Sequence, residues 1–204
     1  MLNSKTTGWM LMSGFCALVL IVIATMLQGD QDGVAGRIAW AAAGNNWEAI
    51  GLLDLLSGLL LLVFMVGFIS WVKGISETNV ALVVIKYAAL LGVIFIWVGQ
   101  ASQMAGYETA SENKDAAFAL LKLSNFATWM GVQSLLLSFF VVATSAFMQK
   151  VGTPALNILL GLVGIVALVG SFIHWGFFVI GFPLSMLILL IIGIQKVVCA
   201  PKSS

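Results

Sequence analysis

Apolar residues in this chain come in blocks of about twenty, separated by short polar breaks. Six such blocks run from Trp9 to Leu27, Ile50 to Val72, Val80 to Gln103, Phe126 to Met148, Ala155 to Ile173 and Trp175 to Ile194. An α-helix needs about 20 mostly apolar residues to cross the hydrocarbon of a bilayer. The pattern therefore predicts an all-α, polytopic membrane bundle of six transmembrane helices forming one domain over residues 1–204. The first block follows Lys5, but it is longer than the roughly 7–15 residues of a signal-peptide core, so it is expected to be retained. The last two blocks form one charge-free stretch from Ala155 to Gln195. Gly176, Gly181 and Pro183 interrupt it, which predicts a tight hairpin or a non-helical turn held inside the bundle.

Between the blocks, residues 73–79 and 149–154 are short turns, while 28–49 and 104–125 are long connections. In the first long connection, "VAGRIAWAAAG" (34–44) is expected to form a short helix at the membrane interface, with Trp40 at headgroup depth. In the second, Asp115 is expected to cap "AAFALLKLSNFA", which runs on into the fourth span.

Composition agrees with the pattern, since 61% of the residues are hydrophobic and 8% charged, with a mean hydropathy of +1.11. Charge adds orientation. With the N-terminus in the cytoplasm, Lys5, Lys73, Lys86, Lys150, Lys196 and Lys202 fall on or near the inner side, and only Arg37, Lys114 and Lys122 on the outer. The positive-inside rule thus predicts a multi-pass cell-membrane protein with both termini cytoplasmic. Of the acids only Glu77 lies inside, while Asp30, Asp32, Glu48, Asp54, Glu108, Glu112 and Asp115 lie outside.

Within the spans, the uncommon polar residues gather at the outer end. At 1.5 Å per residue, Asp54 sits about 6 Å inside the second span, level with Gln100 and Gln103 at the end of the third. Lys122 and Asn125 lead into the fourth span, Gln133 lies about 10 Å below its outer edge, and His174 stands in the turn between the fifth and sixth. At 100° per residue, Lys122, Asn125, Trp129 and Gln133 share an arc of about 80°, and Lys86, Ala89, Val93, Trp97, Gln100 and Gln103 one of about 120°. Small-residue faces accompany them, formed by Gly51, Asp54, Ser57 and Gly58 on the second span and by Asn157, Gly161, Gly164, Ser171 and Trp175 on the fifth. Lys86 stands apart near the inner end and is expected to reach the cytoplasmic headgroups. The expected ligand-binding set is Asp54, Gln100, Gln103, Lys122, Asn125, Gln133 and His174, with Lys122, Gln100 or Gln133 as partner for Asp54.

Several chemistries lack their residues. One histidine and two cysteines at different depths supply neither bis-histidine haem ligation nor a zinc site, so no metal and no cofactor is expected. No G-x-S-x-G, Walker A or dinucleotide motif occurs, no basic face is present for nucleic acid, and "GDQDG" (29–33) lacks the later ligands of a calcium loop.

The stretches "IGLLDLLSGLLLLVFMVGFISWVKG", "AAFALLKLSNFATWMGVQSLLLSFFVVATSAFMQKVGTPALNILLGLVG" and "FPLSMLILLIIGIQ" together resemble a family of small bacterial six-span membrane proteins catalogued only as a domain of unknown function. The shared pattern is an acid early in the second span, a basic inner turn after it, a polar entry to the fourth, a Pro-containing turn before the fifth and a Gly-ending sixth. "SFIHWGFFVIGFP" and "GNNWEA" depart from it. The resemblance implies fold and length and assigns no catalytic residue. The leading expectation is a non-enzymatic bundle whose partners are the lipid bilayer and either other membrane subunits or a small amphiphile such as a lipid or quinone. The alternatives are a transporter or channel for a solute or proton using the Asp54 cluster, and a membrane enzyme acting on lipid.

Overall fold

A computed structural model describes residues 2–29, 31, 33–76 and 79–199, with Trp175 as backbone only. Asp30, Asp32, Glu77 and Lys202, which entered the charge argument, lie outside the described residues, as does the Trp175 side chain placed on the fifth span's small-residue face. Among the described residues there are seven α-helices: α1 (Ser4–Gln28), α2 (Gly33–Ala42), α3 (Trp47–Ile75), α4 (Val80–Glu108), α5 (Lys114–Met148), α6 (Pro154–Gly170) and α7 (Trp175–Val198). A 3-10 turn, Thr109–Ser111, follows α4.

Five helices, α1, α3, α4, α5 and α7, are long and apolar enough to cross a membrane, and α6 is apolar but has 17 residues. That is about 25 Å of helix, a little under the hydrocarbon thickness. α1 and α3 overrun their apolar blocks at both ends, α4 and α7 at the C-terminal end and α5 at the N-terminal end, whereas α6 stops at Gly170, short of Ile173. Polar caps set their limits: Asn3, Asn46 and Asn79 accept from backbone N–H groups at the starts of α1, α3 and α4. Asn113, not Asp115, caps α5, its Oδ1 accepting from the Ala116 N–H at 3.0 Å. Asp115 falls in the first turn instead, where a carboxylate favours the helix dipole.

The break before α7 falls beside His174 as expected, but Gly176, Gly181 and Pro183 do not make it. The chain turns at residues 171–174, where the Ile173 and His174 N–H groups return to the Gly170 carbonyl, and α7 then runs through Gly181 and Pro183 without interruption. His174 starts it, its Nδ1 accepting from the Gly176 N–H at 3.0 Å. Gly181 does not bend the chain; it lets α7 lie against Ala167 of α6.

Apart from α2, each helix packs chiefly on its neighbour in sequence, and α7 returns to α1, so α1, α3, α4, α5, α6 and α7 close into a ring. The start of α1 and the end of α7 meet at one end of that ring, where Ser4 Oγ donates to the Lys196 carbonyl. In lipid the hydrophobic effect does not draw helices together, and close packing must do it. The tightest seam is α4 against α5, where Ile85, Gly92, Gly99 and Gly106 stand opposite Ser138, Gly131, Ser124 and Ala117 in antiparallel register. A seven-residue repeat of small residues, Gly92, Gly99 and Gly106 on α4 against Ala117, Ser124, Gly131 and Ser138 on α5, keeps that seam together.

Towards the end where α1 starts and α7 stops, the ring is filled by apolar side chains. Phe64, Phe68 and Phe139 meet edge-to-face or tilted, and Leu135, Leu136, Met65, Met186 and Leu189 close the spaces between them. The opposite end has a separate core, in which α2 buries Val34, Ile38 and Ala41 against Ile50, Tyr107, Ala117 and Leu121. The helix expected over residues 34–44 forms over Gly33–Ala42 and caps the bundle, held by Trp40 edge-on to Tyr107 with centroids 5.7 Å apart.

Candidate functional site

Between these two cores lies a cavity of about 750 Å³ lined by α1, α2, α3, α4, α5 and α7. Its polar lining comes mainly from Asp54, Gln100, Gln103, Lys122, Asn125 and Arg37, and its apolar walls include Ile96, Trp129 and Phe178. Five of the seven residues singled out in sequence thus share one cavity.

Asp54 is its most constrained member. α3 presents Gly51, Asp54, Ser57 and Gly58 towards α4, and a Cβ on Gly58 would stand 2.6 Å from the Trp97 Nε1, so only glycine lets the two helices approach there. The closeness puts Gln100 beside Ser57: Gln100 Nε2 donates to Ser57 Oγ at 2.9 Å, and Ser57 Oγ donates to the Asp54 carbonyl at 2.8 Å. The Asp54 side chain itself is 6% exposed, and its Oδ2 has no hydrogen-bond partner among the described residues. A buried carboxylate in that position costs free energy until something donates to it.

None of the three expected partners supplies that donor: Gln100 Nε2 turns to Ser57 Oγ and Gln133 Nε2 to Ser171 Oγ. Lys122 is exposed, and its ammonium lies over the Phe118 ring, 5.4 Å from the centroid, one turn back along α5. Asn125, also exposed, accepts from Arg37 Nη2 at 2.8 Å. Arg37 thereby ties α2 to α5 at the rim of the cavity. Next to it the Tyr107 hydroxyl is buried beside the Arg37 guanidinium and the Gln28 amide without a hydrogen bond of normal geometry.

No family model, curated protein or solved structure matches the chain. The site is therefore read from its own chemistry.

The other two candidates lie elsewhere. Gln133, 7% exposed, donates to Ser171 Oγ and so joins α5 to the turn after α6; it does not line the cavity. His174 is exposed and caps α7 beside an apolar groove between α6 and α7. Among the described residues no three His, Cys, Asp or Glu side chains stand together.

Sequence reasoning missed Arg37, Gln28 and Phe178 as lining residues. Arg37 had a readable signal, since Val34, Ile38 and Ala41 repeat at helical spacing and mark a buried stripe beside which Arg37 must lie. Phe178 had none, because nothing local says which face of an almost wholly apolar helix turns inward.

The cavity is open at the side. Thr25 on α1 and Lys122, Asn125 and Phe126 on α5 line it and are at the same time exposed, Phe126 by 59%. The reason is the short α6. Its end meets α5 at Gln133 and Trp129, where Phe172 stacks edge-on at 5.5 Å, so α5 continues past the hairpin with no α6 beside it. The gap left between α1 and α5 is the opening.

Proposed function

We infer that the chain is a six-span cell-membrane protein with both termini cytoplasmic, and that its outer cavity holds the head of a small amphiphile without transforming it. The observation that carries this reading is the sideways opening between α1 and α5. A site for a water-soluble solute needs a path to water; one that opens laterally at an exposed Phe126 suits a ligand whose tail stays in lipid. The sixth pass is assigned to α6, which occupies the same ring as the five longer helices, and the meeting of Ser4 with Lys196 supports an even number of passes.

Transport is the less favoured reading because the apolar core beyond the cavity offers no polar path. Ser138 and Ser185, both buried there, spend their hydroxyls on the carbonyls of Ser134 and Gly181 on their own helices.

Mass spectrometry of the intact protein released from mild detergent tests the reading. A co-purifying amphiphile is expected on the wild type and is expected to be lost from Thr25→Trp combined with Asn125→Trp, which fill the opening from both sides. An amphiphile retained at wild-type occupancy in that double variant would place the binding elsewhere.

A further inference from the structure

The charges of the cavity are separated by level. Asp54 is deep, on α3, with an unpartnered Oδ2, whereas Arg37 and Lys122 stand at the rim on α2 and α5. Arg37 gives one donor to Asn125, Lys122 rests on an aromatic ring, and neither is paired with a carboxylate among the described residues.

Each level asks for a different group. The deep carboxylate needs something cationic that also donates a hydrogen bond. A quaternary ammonium would meet its charge and leave the oxygen without a donor, whereas a primary ammonium meets both needs. Gln100 is placed to take a further N–H, since its amide nitrogen is already committed to Ser57 and its oxygen is free to accept. A guanidinium and an ammonium at the rim, by contrast, suit a phosphate.

Resting on the amphiphile reading above, we propose that the cavity selects a phospholipid with a primary-amine head of the phosphoethanolamine type. The ammonium sits on Asp54, the phosphate between Arg37 and Lys122, and the tails leave between α1 and α5 past Phe126. A serine head fits less well, because its extra carboxylate would stand beside Asp54.

Lipid titration of the full chain in mild detergent, read by native mass spectrometry, tests this with dioleoyl lipids carrying ethanolamine, its mono- and dimethyl derivatives, choline or glycerol heads. On the wild type the ethanolamine lipid is expected to bind about tenfold more tightly than the choline lipid, the worth of one charge-assisted hydrogen bond. The largest drop is expected at the third methyl, which removes the last N–H. Asp54→Asn should weaken the ethanolamine lipid by about tenfold or more, weaken the choline lipid less and leave the glycerol lipid within about twofold, while Arg37→Gln should weaken all three. Ethanolamine and choline lipids bound equally by the wild type would overturn the proposal even if no variant could be purified. So would a head preference that survives Asp54→Asn. If lipids bind without head preference and are still excluded by Trp at positions 25 and 125, the amphiphile reading stands and the head assignment falls. If no lipid binds, both fall. Tailless glycerophosphoethanolamine separates lipid from free headgroup: displacement of the lipid by it at equal concentration would refute the lipid assignment.

Discussion

The backbones of Gly92 and Gly131 touch. A Cβ built on Gly92 would stand 2.7 Å from the Gly131 carbonyl oxygen, and one on Gly131 would stand 2.5 Å from the Gly92 carbonyl oxygen. This contact sits at the centre of the α4–α5 seam and fixes the register that brings Gln100 and Gln103 level with Lys122 and Asn125. The cavity therefore depends on two residues that do not line it.

A side chain at this contact must push two backbones apart. Gly131→Val is expected to destabilise the protein in detergent by at least about 2 kcal/mol, since overpacking here has no flexible neighbour to absorb it. Gly74→Ala is the control: nothing lies within 4 Å of a Cβ there, so the change should be neutral or stabilise by up to about 1 kcal/mol through helix propensity. Thermal unfolding followed by fluorescence would show the contrast, and equal losses at both positions would contradict the seam.

Asp54 and Lys122 should behave as independent residues. Because the ammonium lies on Phe118, the energetic coupling between Asp54→Asn and Lys122→Met is expected to stay below about 0.5 kcal/mol in lipid-depleted detergent. Asp54→Asn alone should raise stability there, because it removes a buried charge with an unpartnered oxygen. A double-mutant cycle gives both quantities. Strong coupling would mean that the two side chains pair in solution.

The start of α5 depends on Asn113. Replacing it with Ala should cost about 1 kcal/mol, the usual worth of a cap, while Asp115→Ala should cost about half a kcal/mol or less as a dipole contact. The same unfolding measurement separates them, and a larger loss at Asp115 would restore it as the cap.

Orientation is open to direct labelling. In a Cys16→Ser, Cys199→Ser background, a membrane-impermeant maleimide applied to intact cells should modify Glu112→Cys and spare Ser76→Cys. The reverse pattern would invert the protein; labelling of both would break the six-span arrangement.

The sequence by itself determined that the chain is helical, roughly where each long helix runs, and that polar side chains gather at one end of the bundle. These are properties of single segments: an apolar run of sufficient length must satisfy its own backbone hydrogen bonds whatever surrounds it. The close face of α3 was legible for the same reason, since Gly51, Ser57 and Gly58 repeat at helical spacing beside Asp54. Tertiary structure decided what no segment holds alone. It turned Lys122 away from Asp54, because facing angle and depth leave a long side chain free to choose among neighbours. It sent Gln133 to Ser171 and His174 to the start of α7, because the hairpin ends at their level. It folded α2 down to bring Arg37 to the rim. Pro183 and Gly181 looked like breaks and proved compatible with a continuous α7, since a glycine's smallness serves packing as readily as turning. The opening between α1 and α5 comes from the mismatch between a short α6 and a long α5, a difference in length that acquires meaning only when the ring closes.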